Sequence, residues 1–163
     1  MARRPCGRTI AVLEDDNGDM KRSNDTPSAR ERLEAAYRGA VYRVAAPAGG
    51  IVLSVDERSA GLDARLDAEG VSVAAFVSAA NPGSVPLSDA ENRARHLRLL
   101  ERVAASGRST LPGVSSASDG GWTEASLLVF GIEEEEALEL AREFGQAAIL
   151  VLRAGERCRL RFV

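Results

Sequence analysis

Aromatic side chains are scarce in this 163-residue chain: one Trp, two Tyr and four Phe amount to 4% of it, so Leu, Val, Ala and Ile must build most of any core. Cysteine is scarcer. Cys6 and Cys158 stand near opposite ends of the sequence, which excludes a disulfide framework and fits a reducing cytoplasm. His96 is the only histidine, and no Cys/His or His/carboxylate spacing marks a transition-metal site. No metal and no cofactor is expected. Long apolar runs are missing too: none approaches the ~20 residues that span a bilayer. The run Ile10 to Leu13 also falls short of a signal-peptide core of about 7 to 15 residues. A soluble, non-membrane protein in the cytoplasm is the expectation.

An excess of positive charge is lacking as well. The formal charge of -3 argues against holding nucleic acid by bulk electrostatics, which needs a local surplus of Lys and Arg. The marks of P-loop hydrolysis (G-x-x-x-x-G-K-[ST]), of a Rossmann cofactor turn (G-x-G-x-x-G after a strand) and of an α/β-hydrolase (G-x-S-x-G) do not occur.

What is present is ordinary globular material, 45% apolar and 28% charged, in a length that suits one domain. Residues 1 to 26 mix Arg, Asp, Asn, Gly and Ser with almost no apolar periodicity, which predicts a flexible tail. Residues 27 to 163 form the domain. Ser28 with Glu31 has the S-x-x-E form of a capping box behind Pro27, and Leu33 and Tyr37 share a face of the helix that follows. Val41 to Ala46 and Ile51 to Val55 flank Pro47-Ala48-Gly49-Gly50 as a hairpin. Leu62 and Leu66 mark a short helix ending at Gly70. Val71 to Ala79, apolar on both alternations but for Ser72 and Ser78, reads as a strand buried on both faces.

Ser88 and Glu91 form a second capping box, and Ala90, Ala94, Leu97, Leu100 and Ala104 predict the apolar stripe of the longest helix. Residues 108 to 121, rich in Ser and Gly, read as a loop with a short strand near Thr110 and Leu111. Leu127 to Phe130 is a buried strand, and Glu133 to Glu136 open a helix whose dipole they complement. Ala147 to Leu152 is a further apolar strand. The chain ends in alternation, with Arg157, Arg159 and Arg161 on one side and Cys158, Leu160 and Phe162 on the other. The fold class is therefore α/β in the broad sense (α+β): a mixed sheet with three to four helices, hairpins at both ends and a central βαβ unit.

Chemistry is best placed at Phe76 to Asn92, FVSAANPGSVPLSDAEN, where a strand ends in an Asn-Pro-Gly-Ser turn before a capped helix. Pro82 fixes its own backbone, Gly83 permits angles closed to other residues, and Asn81 and Ser84 offer polar side chains. Free amides there could bind an anion, or the turn could be structural. Helical geometry puts Arg93 inside the apolar arc, leaning over the turn to clamp an anion or pair with a carboxylate, whereas Arg95 points away. Asn92 lies on the flank, within reach of the same loop.

Period two places Trp122, Glu124 and Ser126 on one face. Beside the only tryptophan, Glu124 could be desolvated into a general acid or base, or paired with an arginine such as Arg93. Gln146, between Gly145 and a buried strand, could reach a ligand or satisfy the carbonyls of a helix end. The Arg157, Arg159, Arg161 ladder either meets RNA or DNA phosphates or guards an edge strand.

Tyr37 and Tyr42 in YRGAVY, FVSAANPGSVPLSDAEN, WTEAS, and FGQAA before an apolar strand together resemble the bacterial family of unknown function DUF3293, over about residues 37 to 153. The family often has Thr where Ser78 stands and Asn where Ala147 stands. The resemblance implies no activity, but it groups Asn81, Ser84, Asn92, Trp122, Glu124, Ser126 and Gln146 into one site. The expected function is binding of a polar or anionic small molecule or nucleotide at the turn. The alternative is a non-enzymatic module that binds a protein or RNA, with the polar set purely structural.

Overall fold

The computed structural model describes residues 26–163, so the expected tail falls, Thr26 apart, outside the described residues. In chain order the elements are α1 (Ala29–Gly39), β1 (Val41–Val44), β2 (Ile51–Leu53), α2 (Ala60–Glu69) and β3 (Val73–Ser78). A 3-10 turn (Pro82–Ser84) leads into α3 (Asp89–Ala104), followed by β4 (Thr110–Ser116), β5 (Thr123–Phe130), α4 (Glu134–Glu143), β6 (Ala148–Arg153) and β7 (Arg159–Phe162). Both S-x-x-E boxes close: Ser28 caps α1 against Glu31, and Ser88 caps α3 against Glu91. Gly70 ends α2 at φ 70°, the left-handed stop its position implied.

All seven strands join one sheet in the order β2-β1-β4-β5-β3-β6-β7, and every neighbouring pair is antiparallel. The class is α+β with hairpins at both ends, as expected. The central βαβ unit is present in split form: β5 inserts between β3 and β4, and β3 lies between β5 and β6. Two interleaved split units make the βαββαβ arrangement of ferredoxin-like domains, with β1, β2 and β7 added at the edges. The mixed sheet of the sequence reading gives way to an antiparallel one because β4 is a full strand that forms a hairpin with β5, where a loop was expected.

Two residues disguised β4. Proline is rare in strands, yet Pro112 lies opposite Ala45, just past the end of β1 at Val44, so its missing N–H costs only the last rung of the ladder, where its carbonyl still accepts from Ala45 N. Gly113 is required by a close approach, since a Cβ there would lie 2.4 Å from the Phe76 ring. The turn-forming residues serve packing here.

Each face of the sheet carries its own core. Ala75, Val77, Leu127, Val129, Ile149 and Val151 pack on one face against Leu99 and Val103 of α3 and Ala137, Leu140 and Ala141 of α4. Leu99 and Val103, at 0% and 3% exposure, contribute about 1.5–3 kcal/mol each, and they set the phase of α3. That phase corrects the expected stripe: Leu97 is 53% exposed, and Ala90 and Ala94 are exposed as well.

The other face curls. Beyond β2, Asp56 N donates to Cys158 O and Cys158 N donates to Glu57 O, both at 2.8 Å, so the two sheet edges meet. The hollow they enclose is filled by Leu62 and Leu66 of α2 with Val44, Leu53, Phe76, Leu128 and Leu152. α1 buries no residue fully; the edge contact of Tyr37 on Phe162 (6.2 Å) and the Tyr42 hydroxyl, which donates to Tyr37 O at 2.7 Å, tie it to the sheet.

Candidate functional site

Side-chain size along the hollow decides where it opens. Across the sheet, Leu111, Leu128, Phe76 and Leu150 stand side by side, and the next row on the same face is Gly113, Ser126 and Ser78. Large residues yield to small polar ones. Beyond that row lies a cavity of about 200 Å³ walled by Leu33, Ala36 and Tyr37 of α1, the turn after β3, Trp122, Glu124 and Gln146. A chamber of about 20 Å³ adjoins it, shares Tyr37, Glu124 and Gln146, and reaches Ser78, Ser115 and Ser126. That is room for a single water.

Asn81 organises the rim. Its Nδ2 donates to Glu124 Oε1 at 2.8 Å, and its Oδ1 accepts from Leu87 N and from Asn92 Nδ2, both at 2.9 Å. Asn92 Oδ1 in turn accepts from Asn81 N at 2.9 Å. Asn81 holds φ at 45°, a left-handed backbone that asparagine tolerates better than most residues. The turn is docked from outside by Gly83 N, which donates to Gly145 O at 2.7 Å. Gly145 has φ +67°, and a Cβ on it would stand 2.9 Å from Pro82 Cβ. Only glycine fits that seat.

These bonds spend the amides that an anion would need. Ser84 N donates to Asn81 O, Val85 N to Pro82 O and Ser88 N to Glu91, so with Leu87, Gly83 and Asn81 every N–H from Asn81 to Ser88 is used inside the chain. The expected cradle of free amides is absent from this segment.

Glu124 is half-buried, and burial pushes its carboxyl above the usual range, with the Asn81 hydrogen bond pulling the other way. Among the described residues it is the only charged side chain of the main cavity wall. Burial also raises the Tyr37 and Tyr42 hydroxyls, so both stay protonated at neutral pH. Gln146, 8% exposed, donates through Nε2 to Ala80 O at 2.9 Å, which ties the start of β6 to the end of β3. Ser126, fully buried, meets Ser115 Oγ at 3.3 Å.

Asn81, Ser84, Trp122, Glu124 and Gln146 therefore share one cavity, and Ser126 reaches it through the adjoining chamber. Asn92 and Gly83 do not line it; one braces Asn81 and the other anchors the turn. Arg93 is corrected. It is exposed on α3, outside the wall, and Glu124 pairs with Asn81 instead. Arg95 is the arginine that turns inward, its Nε donating to Ala79 O at 2.6 Å and its second terminal nitrogen to Phe144 O. The cause is the helix phase set by Leu99 and Val103, which carries Asn92 and Arg95 toward the sheet. His96 does not line the cavity, and its Nδ1 is buried without a partner among the described residues.

The arginine ladder is largely spoken for. Arg159 and Arg161 converge on the two oxygens of Glu134 at 3.0 and 2.6 Å, and Arg157 donates to Asp56 O at 2.9 Å. The acidic start of α4 is thus paired as well as solvated, since Glu133 meets Arg153 and Glu136 meets Arg108.

Sequence reasoning had not placed Leu33, Tyr42 or Ser115 at this end of the hollow, nor Arg95 against the carbonyls of Ala79 and Phe144. Tyr42 and Ser115 were findable by pairing β1 and β4 in register, where the two residues stand opposite each other. Arg95 needed the helix phase.

The class is thus a ferredoxin-like α+β domain whose curled sheet ends in a small, acidic, aromatic-walled cavity. Residues 77–149 match the model of a family described as protein of unknown function (DUF3293), which shows the expected resemblance over that stretch. No curated protein and no solved structure gives a significant match to the chain. The matched stretch holds Asn81, Asn92, Trp122, Glu124 and Gln146; α1 and Tyr37, which close the cavity, lie outside it.

Proposed function

We propose that this domain binds a small polar molecule in the cavity between α1, the turn after β3 and the start of β5, with Glu124 as its recognition group. One observation carries the reading. Asn81 Nδ2 holds one oxygen of Glu124, and among the described residues no ion pair and no second hydrogen bond occupies the carboxylate. A half-buried carboxylate kept in place yet unneutralised costs stability unless something uses it. The raised pKa also suits Glu124 to proton transfer, should the bound molecule react. Trp122 and Tyr37 supply flat apolar walls.

A bacterial cytoplasm is the proposed setting. No helix among the described residues is long and apolar enough to cross a membrane, and Cys158 is a buried free thiol. A second reading, contact with a protein, draws support from the outer face of β1, β2 and β4. There Val52 and Val114 remain 55% and 40% exposed.

A thermal-shift screen of polar metabolites on the wild type and on Trp122→Ala tests the first reading. Compounds that stabilise only the wild type are expected. No stabilisation by any compound, or equal stabilisation of both proteins, would count against it.

A further inference from the structure

The charge of the cavity wall is lopsided. Its amide donors are committed: Asn81 Nδ2 to Glu124, Gln146 Nε2 to Ala80 O, and the backbone N–H groups of Asn81 to Ser88 to partners within the chain. Among the described residues, no arginine or lysine lines the wall. Arg95, which turns inward from α3, gives its guanidinium to the carbonyls of Ala79 and Phe144. The charged group left open is an acceptor: the second oxygen of Glu124, beside the rings of Trp122 and Tyr37.

We infer that the ligand, on the small-molecule reading above, presents a cationic nitrogen group, an amine, amidine or guanidine, to Glu124 and rests its apolar part against Trp122. Three considerations converge on that class. An incoming anion would meet an acidic wall with no free amide to answer it, at a cost in desolvation with no return. An N–H donor cation neutralises Glu124 and makes charge-assisted hydrogen bonds to it. A cation beside Trp122 and Tyr37 also gains from the negative faces of their rings, an attraction that strengthens where water is excluded. The cavity volume, about 200 Å³, limits the bound part to a small fragment.

Trp122 is the only tryptophan, so its fluorescence reports on this wall alone. The test titrates the full chain with benzamidine, benzamide and benzoate, three molecules of one shape that carry a positive, zero and negative charge. Benzamidine is expected to alter the Trp122 emission and to bind about tenfold or more tightly than benzoate. Its affinity should rise with pH as Glu124 ionises, and the preference should vanish in Glu124→Gln. That variant keeps an acceptor for Asn81, and its circular dichroism and unfolding midpoint verify the fold.

If benzoate binds as tightly as benzamidine, with both lost in Trp122→Ala, the cavity takes small molecules and the cationic class is overturned. If benzamidine binds equally well to Glu124→Gln, the assigned role of the carboxylate is overturned. If none of the three perturbs Trp122 at millimolar concentration, the class falls together with the reading of the cavity.

Discussion

Asn81 Nδ2 donates to Glu124 Oε1 at 2.8 Å, a bond between residues 43 positions apart that joins the turn after β3 to the start of β5. The same asparagine accepts from Leu87 N and Asn92 Nδ2 through its other amide atom. One side chain thus fixes the turn, the approach to α3 and the carboxylate of the cavity.

Asn81→Gly removes those bonds while keeping the positive φ accessible. A loss of about 2–3 kcal/mol is expected, since Leu87 N and Asn92 lose their acceptor. Asn81→Ala should cost about 1–2 kcal/mol more, the penalty of a left-handed backbone on a residue with a Cβ. Urea unfolding of both variants measures the two contributions; equal midpoints for Gly and Ala would show that backbone strain plays no part.

The Glu124 carboxyl is raised by burial, with the Asn81 bond opposing the shift, so between its ordinary value of 4.5 and its folded value the native state holds more protons than the unfolded one. Its contribution to stability is therefore fully present below 4.5 and is lost as pH rises through the folded value. Glu124→Gln should flatten that descent and match or exceed the wild type at neutral pH. Unfolding free energies across this range check the sign; a Gln variant that is less stable at pH 7 and keeps the descent would contradict it.

Arg95 and Arg93 are two residues apart and should behave oppositely. Arg95→Met leaves the carbonyls of Ala79 and Phe144 without their charged donor, for an expected loss of about 2–3 kcal/mol. Arg93→Ala should stay within about 0.5 kcal/mol, as for other exposed positions. A chemical-denaturation comparison in which Arg93→Ala is the more damaging would reverse the assignment.

Gly113→Ala drives a methyl into the Phe76 ring. Overpacking of this kind costs about 1–3 kcal/mol, and Phe76→Leu should relieve part of it in the double variant. A double-mutant cycle with no coupling would place the Phe76 ring elsewhere.

Much of the local structure was legible because its causes are local. Both capping boxes, the αL stop at Gly70, the opening hairpin and the alternation of β7 depend on residues within a few positions of one another. β4 was not legible. Ser, Gly and Pro at 109–118 carry turn propensity, and only the Phe76 ring and the end of β1 explain why Gly113 and Pro112 suit a strand. The phase of α3 was ambiguous for a related reason: Leu97 and Leu100 compete with Leu99 and Val103 for the inner face, and burial alone chooses between them.

By itself the sequence determined the class and every element but β4, because strand period, caps and turn chemistry are local, while the grouping of Asn81, Trp122, Glu124 and Gln146 was what the family resemblance implied. Tertiary structure decided the rest. It placed β5 between β3 and β4, turned Arg95 inward in place of Arg93, and spent the amides of the turn on the chain's own acceptors. Each depends on partners distant in sequence, whose register and burial no local pattern encodes.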